Sequence, residues 1–71
     1  MSIGWGIVGA GMLADTAFAP AAQAAAGNHV QAVFSRSPTR AAEFAARHDV
    51  PRACTSYHDL LDDPEVDAVY V

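Results

Sequence analysis

Apolar positions in this chain come in short runs, and the spacing within each run changes from one segment to the next. Ile3 to Val8 (IGWGIV) is nearly continuous, the pattern of a strand covered on both faces. After a glycine turn, an alanine-rich segment from about Gly11 to Ala26 carries Leu13, Ala17, Ala21 and Ala24/Ala25 at helical spacing, with Phe18 beside them. Pro20 lies inside that segment, where it removes a helical hydrogen bond and is expected to kink the helix; Gly27-Asn28 forms the stop. His29 to Ser35 (HVQAVFS) alternates and is partly β-branched, so it predicts a second strand.

Ser37-Pro38 opens the next helix, with serine as N-cap and proline at the first helical position. Ala41, Phe44, Ala45 and His48 fall along one side of it, and it must stop before Pro51. A short third strand is expected over Arg52 to Thr55. Ser56-Tyr57-His58-Asp59 has capping-box spacing, with Asp in place of Glu, ahead of a short helix through Leu60 and Leu61. Asp63-Pro64-Glu65 makes a turn, and Asp67 to Val71 (DAVYV) is a fourth strand. The order is β-α-β-α-β-α-β. Strands alternating with helices imply right-handed crossovers and a parallel sheet. The expected class is α/β, the first half of a doubly wound domain with strand order 3-2-1-4.

Composition narrows the partners. The chain has 71 residues, 52% of them hydrophobic, too many for a disordered segment. A chain this short buries only about 60% of its unfolded surface. Its one cysteine, Cys54, rules out an internal disulfide, and no Cys/His group has metal-ligand spacing, so no metal is expected. The net charge is −4, there is no lysine, and the only basic side chains besides the histidines are Arg36, Arg40, Arg47 and Arg52. That balance argues against nucleic acid and anionic membrane surfaces. The start MSIGWGIVGAG lacks a basic n-region, and no segment approaches the roughly 20 apolar residues of a bilayer span, so a cytoplasmic protein is expected.

The chemistry lies in the first turn. Gly9-Ala10-Gly11-Met12-Leu13-Ala14 fits G-x-G-x-x-G/A. The first glycine permits the tight turn, the second lets a pyrophosphate approach the backbone, and the small third residue lets the helix pack on the sheet. A helix start offers unpaired N–H groups and the positive end of a dipole to such an anion. The motif alone is weak. Here it follows a predicted strand and opens a predicted helix within a βαβ unit, the context that makes it a dinucleotide-binding fingerprint and the fold a partial Rossmann fold.

The end of the second strand separates cofactors. An acid there would bind the ribose hydroxyls of NAD. This chain has Ser35-Arg36-Ser37, with Arg40 one helical turn on, and no acid until Glu43. Two guanidinium groups and two hydroxyls suit a phosphate dianion, so NADP is expected, with NAD as the other possibility. The alternative for Arg36 and Arg40 is that they are solvated helix-start residues. Trp5 and Tyr70 read as sheet-packing aromatics, His29, His48 and His58 as scattered surface or boundary residues, and Cys54 as a small buried hydrophobe. Asp62, Asp63, Glu65 and Asp67 read as a solvated acidic edge. Leu13 should face the sheet, and Met12 could line the cofactor.

WGIVGAGMLADTAFAPA, VQAVFSRSPTRAAEFAARH and YHDLLDDPEVDAVYV, in that order, closely resemble the N-terminal domain of the Gfo/Idh/MocA oxidoreductases. SRSxxRAxxFA and DPEVDAVYV are more specific than the glycine motif. The likeness is greatest to the NADP-using branch with dihydrodiol dehydrogenases and glucose–fructose oxidoreductase. The resemblance implies that Ala10, Gly11, Met12 and Leu13 line the pyrophosphate and nicotinamide side, and that Ser35, Arg36 and Arg40 hold the adenosine 2′-phosphate. It also implies that residues 1–71 are an incomplete dinucleotide-binding domain. A Glu-Lys-Pro motif with the catalytic lysine, and a C-terminal domain that contacts a small-molecule substrate and forms a homo-oligomer, would lie outside it. The parent would transfer hydride between a nicotinamide cofactor and an alcohol or ketone carbon of a sugar, cyclitol or dihydrodiol; this chain alone, without a lysine, carries no catalytic residue and is expected to be inactive. A non-catalytic NAD(P)-sensing module and a silent truncated polypeptide are the alternatives.

Overall fold

Four parallel strands form a single sheet in the order 3-2-1-4, in a computed structural model that describes residues 2–9, 11 and 17–71. The elements are β1 (Ile3–Val8), α1 (Ala19–Ala24), β2 (Asn28–Phe34), α2 (Pro38–His48), β3 (Arg52–Cys54), α3 (Tyr57–Leu61) and β4 (Ala68–Tyr70). The class, the sequence of elements and the strand order are those expected.

Helices cover both faces of the sheet. On one, Ile7, Val30 and Val33 pack with Ala19 and Ala22 of α1 and Phe44 of α2, and Trp5, Phe18 and Tyr70 close the edge of that cluster. Phe18 stands edge-on to Trp5, with centroids 5.2 Å apart, and stacks on Tyr70 at 4.1 Å. On the other face Ala32, Cys54 and Leu60 of α3 are buried, with Val8, Phe34, Val66 and Val69 against them. Coverage on both sides explains why β1 reads as an unbroken apolar run.

Two local features depart from the expected pattern. The alternation in β2 is broken: Val30 and Val33 share a face although three residues apart, which a strict period of two forbids. Trp5 pairs with Val30 but Gly6 pairs with Ala32, so Gln31 is an extra residue, a bulge that resets the facing of the rest of β2. The first helix stops slightly sooner than expected. It ends at Ala24, where Ala25 turns extended and donates its N–H to Ala21, and Gly27 then takes φ +80. Its expected opening at residues 12–16 lies outside the described residues. Ala17 and Phe18 ahead of Pro20 are in a wider π-type turn, and the acceptor that a Pro20 N–H would have met, residue 16, lies outside the described residues, as does the expected kink.

The second helix starts as expected. Ser37 Oγ accepts the Arg40 N–H at 3.3 Å with Pro38 in the first turn. It closes on Asp49, which adopts the left-handed conformation at φ +53 before Val50 donates to Ala45 O. Ala41 and Phe44 are buried, and Ala45 packs against the core. In α3 Ser56 Oγ accepts the Asp59 N–H at 3.1 Å.

Candidate functional site

β1 occupies an inner position, with β2 and β3 to one side and β4 to the other, so the chain reverses direction across the sheet beside it. In open α/β sheets the crevice at the carboxyl ends of the strands, near such a reversal, is where ligands bind. A pocket of about 390 Å³ lies there. Val8, Gly9 and Gly11 wall it from the end of β1, Phe34, Ser35 and Arg36 from the end of β2, and Arg40 from the first turn of α2. Segments far apart in sequence meet at this point because parallel pairing aligns Val8 with Phe34, and the Gly9 N–H extends the ladder to Phe34 O at 2.7 Å.

Gly9 has φ +93, a conformation that a side chain strains, so the glycine is needed for the turn. Among the described residues, a Cβ built on Gly9 or Gly11 meets nothing within 4 Å. Because the Gly9 N–H is held by Phe34, it is not an anion donor. Ala10, Met12 and Leu13, expected to line the same site, lie outside the described residues.

At the end of β2, Ser35 Oγ accepts the Ser37 N–H at 3.2 Å, and Ser37 Oγ accepts the Arg40 N–H. Ser37 is therefore turned toward the helix and is not part of the pocket wall. Arg36 and Arg40 are exposed on it, and no carboxylate among the described residues pairs with either. No acid lies in the first turn of α2, so the positive end of the helix and two guanidinium groups add up on one rim.

The other chemistry-bearing residues do not join this site. Cys54 is buried, and burial pushes its thiol up, which suits a packing role. Ser2 Oγ and His29 Nδ1 lie 2.6 Å apart at the opposite end of the sheet, His48 lies against Phe44, and His58 is exposed. No group of His, Cys, Asp or Glu among the described residues could hold a metal. No described helix is long and apolar enough to cross a membrane.

The acidic edge needs correction. Asp62 and Glu65 are exposed, but Asp63 is only 4% accessible. Its carboxylate accepts the Glu65 N–H at 2.8 Å and lies 3.1 Å from the Arg52 guanidinium and 3.4 Å from Gln31 Nε2. Burial by itself would raise the Asp63 carboxyl, but the hydrogen bonds from Glu65, Gln31 and Arg52 outweigh it and hold it below the usual carboxylate value. Asp67 ties the strand ends together, its Oδ2 accepting the Gly4 N–H at 2.9 Å while its own N–H donates to Gly4 O.

A glycine turn at the end of β1 of a 3-2-1-4 parallel sheet is a nucleotide-binding arrangement, and comparison with known proteins identifies which. The family model described as oxidoreductase family, NAD-binding Rossmann fold, that of Gfo/Idh/MocA, matches residues 3–71. The chain belongs to this family. Among curated Gfo/Idh/MocA-like relatives it is 43% identical to a trans-1,2-dihydrobenzene-1,2-diol dehydrogenase of Danio rerio and 39% to that of Homo sapiens. Both alignments cover all of this chain and 22% of the relative, so the chain spans about a fifth of their length. Among solved structures, KijD10, a 3-ketoreductase from Actinomadura kijaniata in complex with NADP and TDP-benzene, superimposes with a TM-score of 0.93 at 34% identity, over 100% of this chain and 22% of that one. An oxidoreductase from Thermotoga maritima gives 0.86 at 37%, over 97% of this chain and 22% of that one. The fold of the chain is thus the family's NAD-binding Rossmann fold.

Proposed function

We propose that this chain is the NADP(H)-binding portion of an oxidoreductase that transfers hydride between the nicotinamide and an alcohol or ketone carbon of a sugar, cyclitol or dihydrodiol. The observation that carries the cofactor choice is the pairing of Arg36 and Arg40 on the wall of the glycine-turn pocket, where no described carboxylate answers them. A 2′-phosphate dianion suits two forked guanidinium donors, and the acid that would favour NAD's ribose is absent from the end of β2.

The residues present fit the cofactor. No described residue crowds Gly9 or Gly11, where a diphosphate needs to approach the backbone. Ser35 Oγ accepts the Ser37 N–H with one lone pair, and its O–H remains available to donate. When bound, the nicotinamide supplies the hydride chemistry. The chain's own share is to hold and orient the adenosine end through Ser35, Arg36 and Arg40, and to shape the bend at Gly9 to Gly11. The substrate classes are suggested by the relatives: a dihydrobenzenediol in the dehydrogenases' name, and TDP-benzene beside NADP in the 3-ketoreductase. With no lysine in its sequence, the chain alone is inactive in this reading.

Calorimetric titration of the chain with NADPH and NADH tests the proposal. NADPH should bind more tightly, and Arg36→Ala should weaken it selectively. A charge-assisted hydrogen bond is worth about 1.5–3 kcal/mol, so the loss should be on the order of 10- to 100-fold. Equal weakening of both nucleotides would show that Arg36 does not read the phosphate.

A further inference from the structure

The first turn of α2 contains a hydroxyl that touches the pocket's residues but not the pocket. Ser35 Oγ accepts the Ser37 N–H at 3.2 Å, Ser37 Oγ accepts the Arg40 N–H at 3.3 Å, and Ser37 O accepts the Ala41 N–H at 3.1 Å. These bonds knit residues 35–41 into one turn. Ser35, Arg36 and Arg40, the hydrogen-bonding side chains of the pocket wall, all lie on it.

The chain contains a matched comparison. Helix α3 starts with the same device, Ser56 Oγ accepting the Asp59 N–H at 3.1 Å. The residue three positions after the cap is an acid in α3, Asp59, and a cation in α2, Arg40. At the positive end of a helix a carboxylate is stabilising and a guanidinium is not. Asp59 therefore answers the end of α3 from within the chain. At α2 two arginines reinforce the positive end, nothing in the first turn offsets them, and the Ser37 hydroxyl is the side-chain group that holds the turn closed. A docked phosphate would supply the charge that Asp59 gives α3.

We propose that Ser37 is a positioning residue for phosphate recognition: by capping α2 it holds Arg36 and Arg40 in one shared geometry without contacting the ligand. This rests on the NADP(H) reading of the pocket. Loss of the cap frays the first turn, and the guanidinium groups then converge on the phosphate only at an added entropic cost.

The test is calorimetric titration of the full chain and its variants with NADPH, NADH and adenosine 2′,5′-bisphosphate, alongside thermal unfolding. Ser37→Ala should weaken NADPH and the bisphosphate roughly 3- to 10-fold more than NADH, the size expected for losing a cap. Ser37→Thr, which keeps the hydroxyl, should restore the preference. Ser56→Ala, which removes the matched cap, should lower Tm comparably yet leave the NADPH-to-NADH ratio at its original value. Should the alanine variant not fold, Ser37→Gly removes the hydroxyl at a position where glycine is well tolerated. If the unmodified chain does not prefer NADPH, the cofactor reading fails and this inference with it. If it does prefer NADPH, but Ser37→Ala and Ser37→Gly keep the ratio or Ser56→Ala shifts it as much, the positioning role alone is overturned.

Discussion

Asp63 shows how much one side chain can depend on partners the local sequence does not reveal. It sits among acids, in an Asp-Pro turn that reads as solvated surface, yet Arg52 and Gln31 reach it from β3 and from the bulge of β2. Its carboxyl is held below its usual value, so ionised Asp63 stabilises the fold. The stability is fully present above the unfolded-state value of about 3.9 and is lost as pH falls through the lower folded-state value. Asp63→Asn should therefore cost about 1–3 kcal/mol at neutral pH, the range for disrupting buried charged hydrogen bonds. Its acid-unfolding limb below about pH 4 should be shallower than that of the original chain. Urea titrations of both proteins across pH 3–7 check this; parallel acid limbs would contradict it. The meeting of Ser35, Arg36 and Arg40 with the glycine turn at one pocket was legible by contrast, because the residues after a second strand have a fixed place in such a fold. Ser37 read both as a helix cap and as a hydroxyl for the ligand, and it is the cap that the structure shows.

The glycines of β1 and its turn divide the labour of the first element. No described residue crowds Gly9 or Gly11, whereas Gly6 faces α3: a Cβ there would lie 2.7 Å from Leu60 Cδ2 and 3.0 Å from Val66 Cγ1. Gly4 is closed by the Glu65 carbonyl. Because Leu60 is fully buried and has little room to yield, Gly6→Ala should destabilise the chain by about 1–3 kcal/mol through overpacking. An unchanged urea midpoint would show that α3 can shift away. Strands and helix starts were legible at this scale, the capped starts of α2 and α3 especially, because Ser37 and Ser56 each carry a local signal. The facing of β2 was not. The bulged residue, Gln31, hydrogen-bonds Asp63 from 32 positions away, and a local period of two cannot anticipate an inserted residue.

Across the whole molecule, the parallel sheet follows from alternation of strand and helix with right-handed crossovers, and the 3-2-1-4 order is that of the dinucleotide-binding fold which the glycine turn marks. That order also fixes the site, because it aligns the ends of β1 and β2 and brings the glycine turn to the arginines. The central claim is that a nicotinamide nucleotide's 2′-phosphate and ribose bind there. Backbone amide NMR during titration with adenosine 2′,5′-bisphosphate tests it most directly. Saturable shifts are expected at Gly9, Gly11, Ser35, Arg36 and Arg40, with His29, Glu65 and Asp67 at the other end of the sheet unmoved. Shifts confined to that other end, or none that saturate, would contradict it.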